Sequence, residues 1–352
     1  MNTNLFENNI RKTNPYVPGE QPKNNVIKLN TNENPYPPAP GVGKALKELD
    51  VERMRLYPDP TAELLVKELA HFHQVKPEQV FVGVGSDDVL AMCFLTFFNS
   101  KKPILFPETT YSFYKVWAEL YRIPYECPKV DADFKICAAD YYQDNGGVIF
   151  PNPNAPTAIY EDLDFVEDII KHNPDVIVIV DEAYIDFAGP SALALIDQYE
   201  NLIVVQTFSK ARSMAGMRIG YAIANQKLIA YLNDVKYSFN SYTMDMTSLI
   251  CGAESVKDQE YFEETTHKII ETREWAKQEL KKLGFMFPDA KANFIFASHP
   301  NYDAKHIFEE LKKNNIYVRY FPGEKTGQYL RITIGTREEM TQLFAFLKKY
   351  MK

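Results

Sequence analysis

The 352-residue sequence predicts an α/β fold, with a large domain on a mostly parallel, doubly wound sheet and a smaller α+β domain after it. Three observations carry that reading. Short apolar strands alternate with helical stretches from Thr61 onward, the pattern that builds parallel sheets. The run IVIV at 177–180 has no wet face, as a strand covered on both sides requires. After about Asp245 the rhythm shifts to longer polar helices with fewer strands, and the chain is longer than one core usually organises.

Taken in order, the first forty residues are rich in Asn and Pro and end in NENPYPPAPG, so an extended arm is expected rather than helix or strand. The arm (1–40) joins the small domain (251–352), and residues 41–250 form the large one. TAELLVKELAHFHQ reads as an amphipathic helix and VFVGVG as a strand. SDDVLAMCFLTFF reads as a helix capped by Ser86, with Asp87 and Asp88 at its positive end. The strands PILF, IPYE, GGVIF, VIVIV, NLIVVQ and RIGYAI follow. Beyond them come a helix from Val256 to Leu283, the strand ANFIFAS, a helix from Ala304 to Lys313, strands in IYVRY and YLRITIG, and a closing helix.

A net charge of −8 without a Lys/Arg block leaves no electrostatic footprint for nucleic acid or an acidic membrane. The longest apolar run, Val89 to Phe98, is interrupted by Thr96 and falls short of the roughly eighteen residues of a membrane span. MNTNLFENNIRK lacks an apolar signal core, so a cytoplasmic location is expected. The four cysteines show no CxxC spacing and are expected as small core residues in a reducing compartment. His71 and His73, two apart on a helix, point in different directions, and no metal site is expected.

Ligands of open parallel sheets lie beyond the carboxyl ends of the strands. Four polar clusters fall there: GVGSD (83–87), PNPNAPT (151–157), DEAY (181–184) and TFSK (207–210). Asp88 stands where a dinucleotide fingerprint has its third glycine, which argues against NAD. The turn instead makes a cradle for one phosphate from the Gly85, Ser86 and Asp87 segment and the helix dipole. Asp181, at the end of a buried strand, needs a cation. Lys210, among small and hydroxylated residues with Arg218 eight positions on, has the setting of an amine with a lowered pKa. Pyridoxal phosphate answers both needs. It requires an amine for its aldehyde, a carboxylate for its ring nitrogen, a donor for its phenolic oxygen, a flat ring against its face, and a phosphate cup. The candidates are Lys210, Asp181, Tyr184 and Tyr111, with Ser86, Thr207, Ser209 and Arg218 for the cup. Glu182 is expected only to cap or to pair.

LNTNENP, YPD, GVGSDD, PNPNAPT, DEAYIDF, TFSKARSMAGMRIGY and LRITIGTREE, in this order over nearly the whole chain, resemble the fold-type I aminotransferases, and among them the histidinol-phosphate branch. The resemblance implies a homodimer with the site at the subunit boundary, where Tyr57 reaches the partner's cofactor phosphate. It implies that Asn30 to Asn34, Asn32 included, line the site, and that Tyr16 covers the substrate. Arg331 stands at the family's carboxylate-binding arginine, and Arg319 is the second candidate for the substrate's anion. One departure occurs: the family's NNPTG is Asn154-Ala155-Pro156-Thr157-Ala158 here, so Asn154, with Asn152 as the alternative, is assigned to the phenolic oxygen. The implied reaction exchanges an amine between histidinol phosphate and 2-oxoglutarate, giving imidazole acetol phosphate and glutamate. The rivals are an aromatic amino acid aminotransferase and a decarboxylase of a phosphorylated amino acid.

Overall fold

The computed structural model describes residues 5–352. The arm contains a two-residue strand, β1 (Ile27–Lys28), where none was expected, and α1 (Pro40–Lys47) and α2 (Glu63–His73) lead to β2 (Val80–Val84) and α3 (Ser86–Phe97). Next come β3 (Ile104–Leu105), α4 (Phe113–Tyr121), β4 (Tyr125–Glu126), β5 (Val148–Pro151), α5 (Leu163–Lys171), β6 (Val178–Asp181), β7 (Leu202–Thr207) and β8 (Ile219–Ala224). The chain continues through α6 (Gln226–Phe239), α7 (Met246–Lys257), α8 (Gln259–Lys282), β9 (Phe294–Ser298) and α9 (Ala304–Lys313). It closes with β10 (Ile316–Tyr317), β11 (Arg319–Tyr320), β12 (Tyr329–Thr333) and α10 (Arg337–Tyr350).

A seven-stranded sheet in the order β2-β8-β7-β6-β5-β3-β4 organises the first part of the chain. Its strands from β4 to β7 are parallel, and β8 runs antiparallel to both of its neighbours. Alternation along each strand sends side chains to opposite faces. Val178 and Val180 pack with Leu65 and Leu69 of α2 and Val166 and Ile169 of α5. Ile179 between them packs with Phe94 of α3, Trp117 of α4 and Leu232 of α6. Helices on both faces explain why the VIVIV strand carries no polar side chain.

A second core joins β9 and β12 to α8 and α10 through residues such as Phe294, Ile332, Leu280 and Leu343. β9, β12 and β11 form an antiparallel sheet. Leu29 of the arm is buried in this core, and β1 pairs in parallel with β10.

Several local expectations are corrected. The helix expected over 256–283 is two helices that meet at Asp258, which ends α7 and caps α8 by accepting from the Tyr261 N–H. Cys251 and Val256 of α7 lie in the large core, past residue 250. IYVRY is split at Val318, with β10 serving the arm and β11 serving β12. Ser86 does not cap: Gly85 holds the cap position at φ 83°, and the Asp88 carboxylate accepts from the Val84 N–H at 2.9 Å. Of the cysteines, Cys93 and Cys251 are core residues but Cys137 is exposed. Among the described residues no helix is long and apolar enough to cross a membrane.

Candidate active site

Register places Pro151, Asp181 and Val205 side by side, so β5, β6 and β7 deliver their ends to one level of the sheet. There the polar clusters open into a cavity of about 300 Å³ between the sheet, the arm and the small lobe. Asp181 is the last residue of β6 and is 4% exposed. Its Oδ2 accepts from the Tyr114 hydroxyl at 2.7 Å and its Oδ1 from the Ala183 N–H at 3.3 Å. Burial lifts this carboxyl to about 6 in spite of the Tyr114 bond. Tyr114 was missed in the sequence. The available signal was a tyrosine on the buried face of a helix, whose hydroxyl has to find a partner.

Lys210 follows β7 and lines the same cavity as Asp181. Its Nζ donates to the Thr31 carbonyl at 3.3 Å and sits 5.7 Å from the centre of the Tyr184 ring. Burial first, and the Arg331 cation second, lower its pKa to about 8. The Tyr184 hydroxyl accepts from Asn32 Nδ2 at 2.9 Å, and Asn32 is held by Thr333 Oγ1, which accepts from its N–H at 3.0 Å and donates to its Oδ1 at 3.1 Å. Lys210, Asp181, Tyr184, Asn32, Ser86, Asp87, Tyr111, Thr207, Ser209 and Arg218 therefore meet around one space.

Two glycines shape the cup. A Cβ on Gly85 would lie 2.5 Å from Arg218 Nη2, and one on Gly220 would lie 2.2 Å from the Ser86 nitrogen. Their absence lets β8, Arg218 and the start of α3 close together. Arg218 Nη2 lies 3.3 Å from Asp87 Oδ2, while Asp87 Oδ1 accepts from the Tyr111 hydroxyl at 2.8 Å. Thr207 Oγ1 and Ser209 Oγ are bonded at 3.1 Å. Gly220→Ala is expected to destabilise the protein by about 1–3 kcal/mol, because the new methyl meets backbone that cannot swing away. The midpoint of urea unfolding reads this directly.

On the small-lobe side, Arg319 and Arg331 are directly opposite partners on β11 and β12. Arg331 Nη2 donates to the Asn30 carbonyl at 3.0 Å, its guanidinium lies 5.3 Å from the Phe294 ring centre and 5.2 Å from that of Phe321, and its Nε is buried with no hydrogen-bond partner. Arg319 donates to the carbonyls of Pro18 and Val17, which ties down the arm beside Tyr16. Tyr16 lines the cavity and stacks on Phe113 at 4.3 Å.

Two expected residues lie elsewhere. Asn154 Nδ2 donates to the Thr109 carbonyl at 2.9 Å and its Oδ1 accepts from Thr110 at 3.0 Å, while Asn152 bonds twice to the Glu161 backbone at 2.8 and 2.9 Å. Both amides hold loops together, and the cavity wall is made instead by Pro151, Ala155 and Pro156. Neither asparagine lines the cavity. Tyr57 is 79% exposed, stacks on Tyr242 at 4.5 Å, and does not line this chain's own cavity.

The cavity thus joins a desolvated amine, a buried carboxylate, a hydroxyl-lined cup with one arginine, and a separate pair of arginines, one with an unused buried donor. An occupant has to bring an aldehyde or similar electrophile to Lys210, a protonated nitrogen to Asp181 and anionic oxygens to the cations. Pyridoxal 5′-phosphate fits this donor set. A chain built in this way around such a cavity is an aminotransferase: residues 24–347 match the family Aminotransferase class I and II, to which this chain belongs, and the cofactor of that family is pyridoxal phosphate. Within the family, it is 48% identical over 345 residues to a histidinol-phosphate aminotransferase of Clostridium botulinum (strain Okra / Type B1), covering 98% of each chain. A histidinol-phosphate aminotransferase of Lactococcus lactis subsp. cremoris (strain SK11) is 48% identical over 348 residues, covering 99% of this chain and 98% of the relative. The fold matches the crystal structure of histidinol-phosphate aminotransferase from Sinorhizobium meliloti in complex with pyridoxal-5′-phosphate, with a TM-score of 0.82 at 23% identity over 93% of this chain and 90% of the other.

Proposed function

We propose that this chain is a histidinol-phosphate transaminase, exchanging an amine between histidinol phosphate and 2-oxoglutarate in histidine biosynthesis. The observation that carries the reading is the convergence of Lys210, Asp181 and Arg331 on one cavity, with the Arg331 Nε still free to donate. Bound there, pyridoxal phosphate supplies an aldehyde that captures amines and a ring that accepts electrons from the substrate carbon. Lys210 would hold the aldehyde and would supply the amine that moves a proton at the substrate's amine-bearing carbon. Asp181, kept in place by Tyr114, holds a negative charge for the ring nitrogen. Tyr184 serves the phenolic oxygen, and Tyr111 serves the ring face. Gly85, Ser86, Asp87, Thr207, Ser209 and Arg218 form the phosphate cup.

Arg319 and Arg331, side by side, suit the doubly charged phosphate of one substrate and the carboxylate of the other. Tyr16 and Asn32 close the substrate side. Tyr57, together with the exposed Val51, Met54, Leu56 and Phe239, supports a homodimer in which each Tyr57 serves the partner's cup. A cytoplasmic location and the division into arm (1–40), large domain (41–250) and small domain (251–352) belong to the same reading.

The test is a pair of half-reactions followed by cofactor absorbance. Glutamate and histidinol phosphate are each expected to convert the holoenzyme fully, and phenylalanine to do so at least about 100-fold more slowly, since its one carboxylate brings a single charge to the two arginines, where the phosphate or the two carboxylates of glutamate bring two. Equal rates with phenylalanine would favour the aromatic aminotransferase. Release of carbon dioxide would favour the decarboxylase.

A further inference from the structure

Behind the cavity, on the other face of the sheet, runs a buried polar chain that the chemistry above does not use. Glu182 is 1% exposed, and three donors converge on it: Ser191 Oγ at 2.5 Å and Gln206 Nε2 at 2.8 Å on Oε2, and the Ala192 N–H at 2.7 Å on Oε1. Gln206 Oε1 accepts from the Tyr221 hydroxyl at 2.5 Å, and Tyr221 meets His73 Nε2 at 2.9 Å. The directions of these bonds are forced by chemistry. Burial lifts the Glu182 carboxyl to about 7 against the pull of its three donors; in its ionised form it only accepts, so Gln206 turns its NH₂ toward Glu182 and its oxygen toward Tyr221. The Tyr221 hydrogen is then committed, so His73 carries its hydrogen on Nε2 and donates. Every bond in the chain points toward Glu182, and such chains strengthen cooperatively. Burial and the nearby Arg212 keep His73 neutral, lowering its pKa to about 4, in agreement with this polarity.

Three of its members lie one residue from the active site. Glu182 follows Asp181, Gln206 precedes Thr207, and Tyr221 follows Gly220, and alternation along the strands turns each of them away from the cavity. Gln206 and Tyr221 are paired across β7 and β8, and the Glu182 N–H donates to the Val205 carbonyl at 2.7 Å. By holding Ser191 and Ala192, Glu182 also closes the loop that carries Tyr184. We infer that Glu182 is a positioning residue for the transamination proposed above: through Gln206, Tyr221 and His73 it holds Asp181, Tyr184 and Thr207 in register around the cofactor. The inference rests on that functional reading. Other titratable groups facing Glu182 are Asp186 from its own loop, Tyr160 from the loop after β5, and Tyr221 from β8, and Arg212 faces Asp186 and Tyr221.

The test compares wild-type holoenzyme with Glu182→Gln and Tyr221→Phe. Glu182→Gln puts an NH₂ among three donors, and Tyr221→Phe removes one hydroxyl and leaves the ring packing. Three quantities are read: kcat and KM with histidinol phosphate, the pH midpoint of the cofactor absorbance, and the melting temperature. Misplacing the Asp181 strand end is expected to lower kcat about tenfold in Glu182→Gln and about threefold in Tyr221→Phe, with KM within about twofold and the absorbance midpoint displaced by about half a pH unit or more. Unchanged kcat and midpoint in both variants, whatever the melting temperature does, would overturn the inference and leave a purely structural chain. If Glu182→Gln does not fold, Tyr221→Phe decides by the same criteria. Wild-type holoenzyme that showed no cofactor absorbance, or that did not turn over histidinol phosphate, would overturn the functional reading instead, and the two failures are told apart by the wild-type control.

Discussion

Lys210→Ala is expected to abolish transamination, lowering kcat by about 10⁴-fold or more, while the protein still folds and holds the cofactor without a covalent bond. Lys210 is the only lysine among the residues lining the cavity, so no second amine takes over either the aldehyde or the proton. Its environment makes it reactive, since burial and the Arg331 cation lower its pKa to about 8. A neutral amine is the nucleophile, so the rate at which apo-protein captures the cofactor should rise with pH and level off above about 8. Borohydride reduction of the wild-type holoenzyme, followed by peptide mapping, should place the adduct on Lys210. Turnover at the wild-type rate by the alanine variant would sink the assignment.

Asp181→Asn is expected to lower kcat by about 10²–10³-fold, the usual loss when one preorganised charge is removed from a site. Its effect on the apo-protein should have the opposite sign. The folded-state pKa of Asp181 is raised to about 6, chiefly by burial. Between the ordinary carboxylate value and about 6 the folded protein therefore binds the proton more tightly than the unfolded chain. Stability from this group is present at low pH, is lost as pH rises through that window, and leaves a penalty at neutral pH on the order of 2 to 3 kcal/mol. Asparagine keeps an acceptor for Tyr114 and carries no charge. The apo variant should accordingly melt above the wild type at pH 7, with the difference shrinking toward pH 4. Calorimetry of both apo-proteins at the two pH values checks this, and a less stable variant at pH 7 would show that the buried carboxylate carries no such penalty.

The parts of this site that were legible in the sequence are those encoded locally. The VIVIV run sets a buried strand, and its end at Asp181 follows from where the apolar pattern stops. Lys210 and Arg218 could be read from TFSKARSMAGMRIG because a strand end, small residues and three cations lie within a dozen positions. Tyr114 could not be read in this way, since its partner Asp181 is 67 residues away and a buried tyrosine looks the same whether or not it holds a carboxylate. Asn154 lies away from the cavity for the opposite reason. Its motif resembled the family's, but a shift of one position sends a loop amide to the Thr109 carbonyl instead of into the cavity. His73 and Tyr221, 148 residues apart, join only because α2 packs over the sheet at β8.

The sequence by itself determined the alternation of strand and helix, the buried character of the central strands, and the residue types that cluster at the strand ends. Periodicity and turn chemistry act over a few residues, and that is enough for each of these. Only the tertiary structure decided which face each polar side chain serves, where α7 ends and α8 begins, and that Arg319 and Arg331 stand side by side beneath the arm. Those outcomes depend on register and on contacts between segments hundreds of residues apart, and a one-residue change of register reverses the face on which a side chain lies.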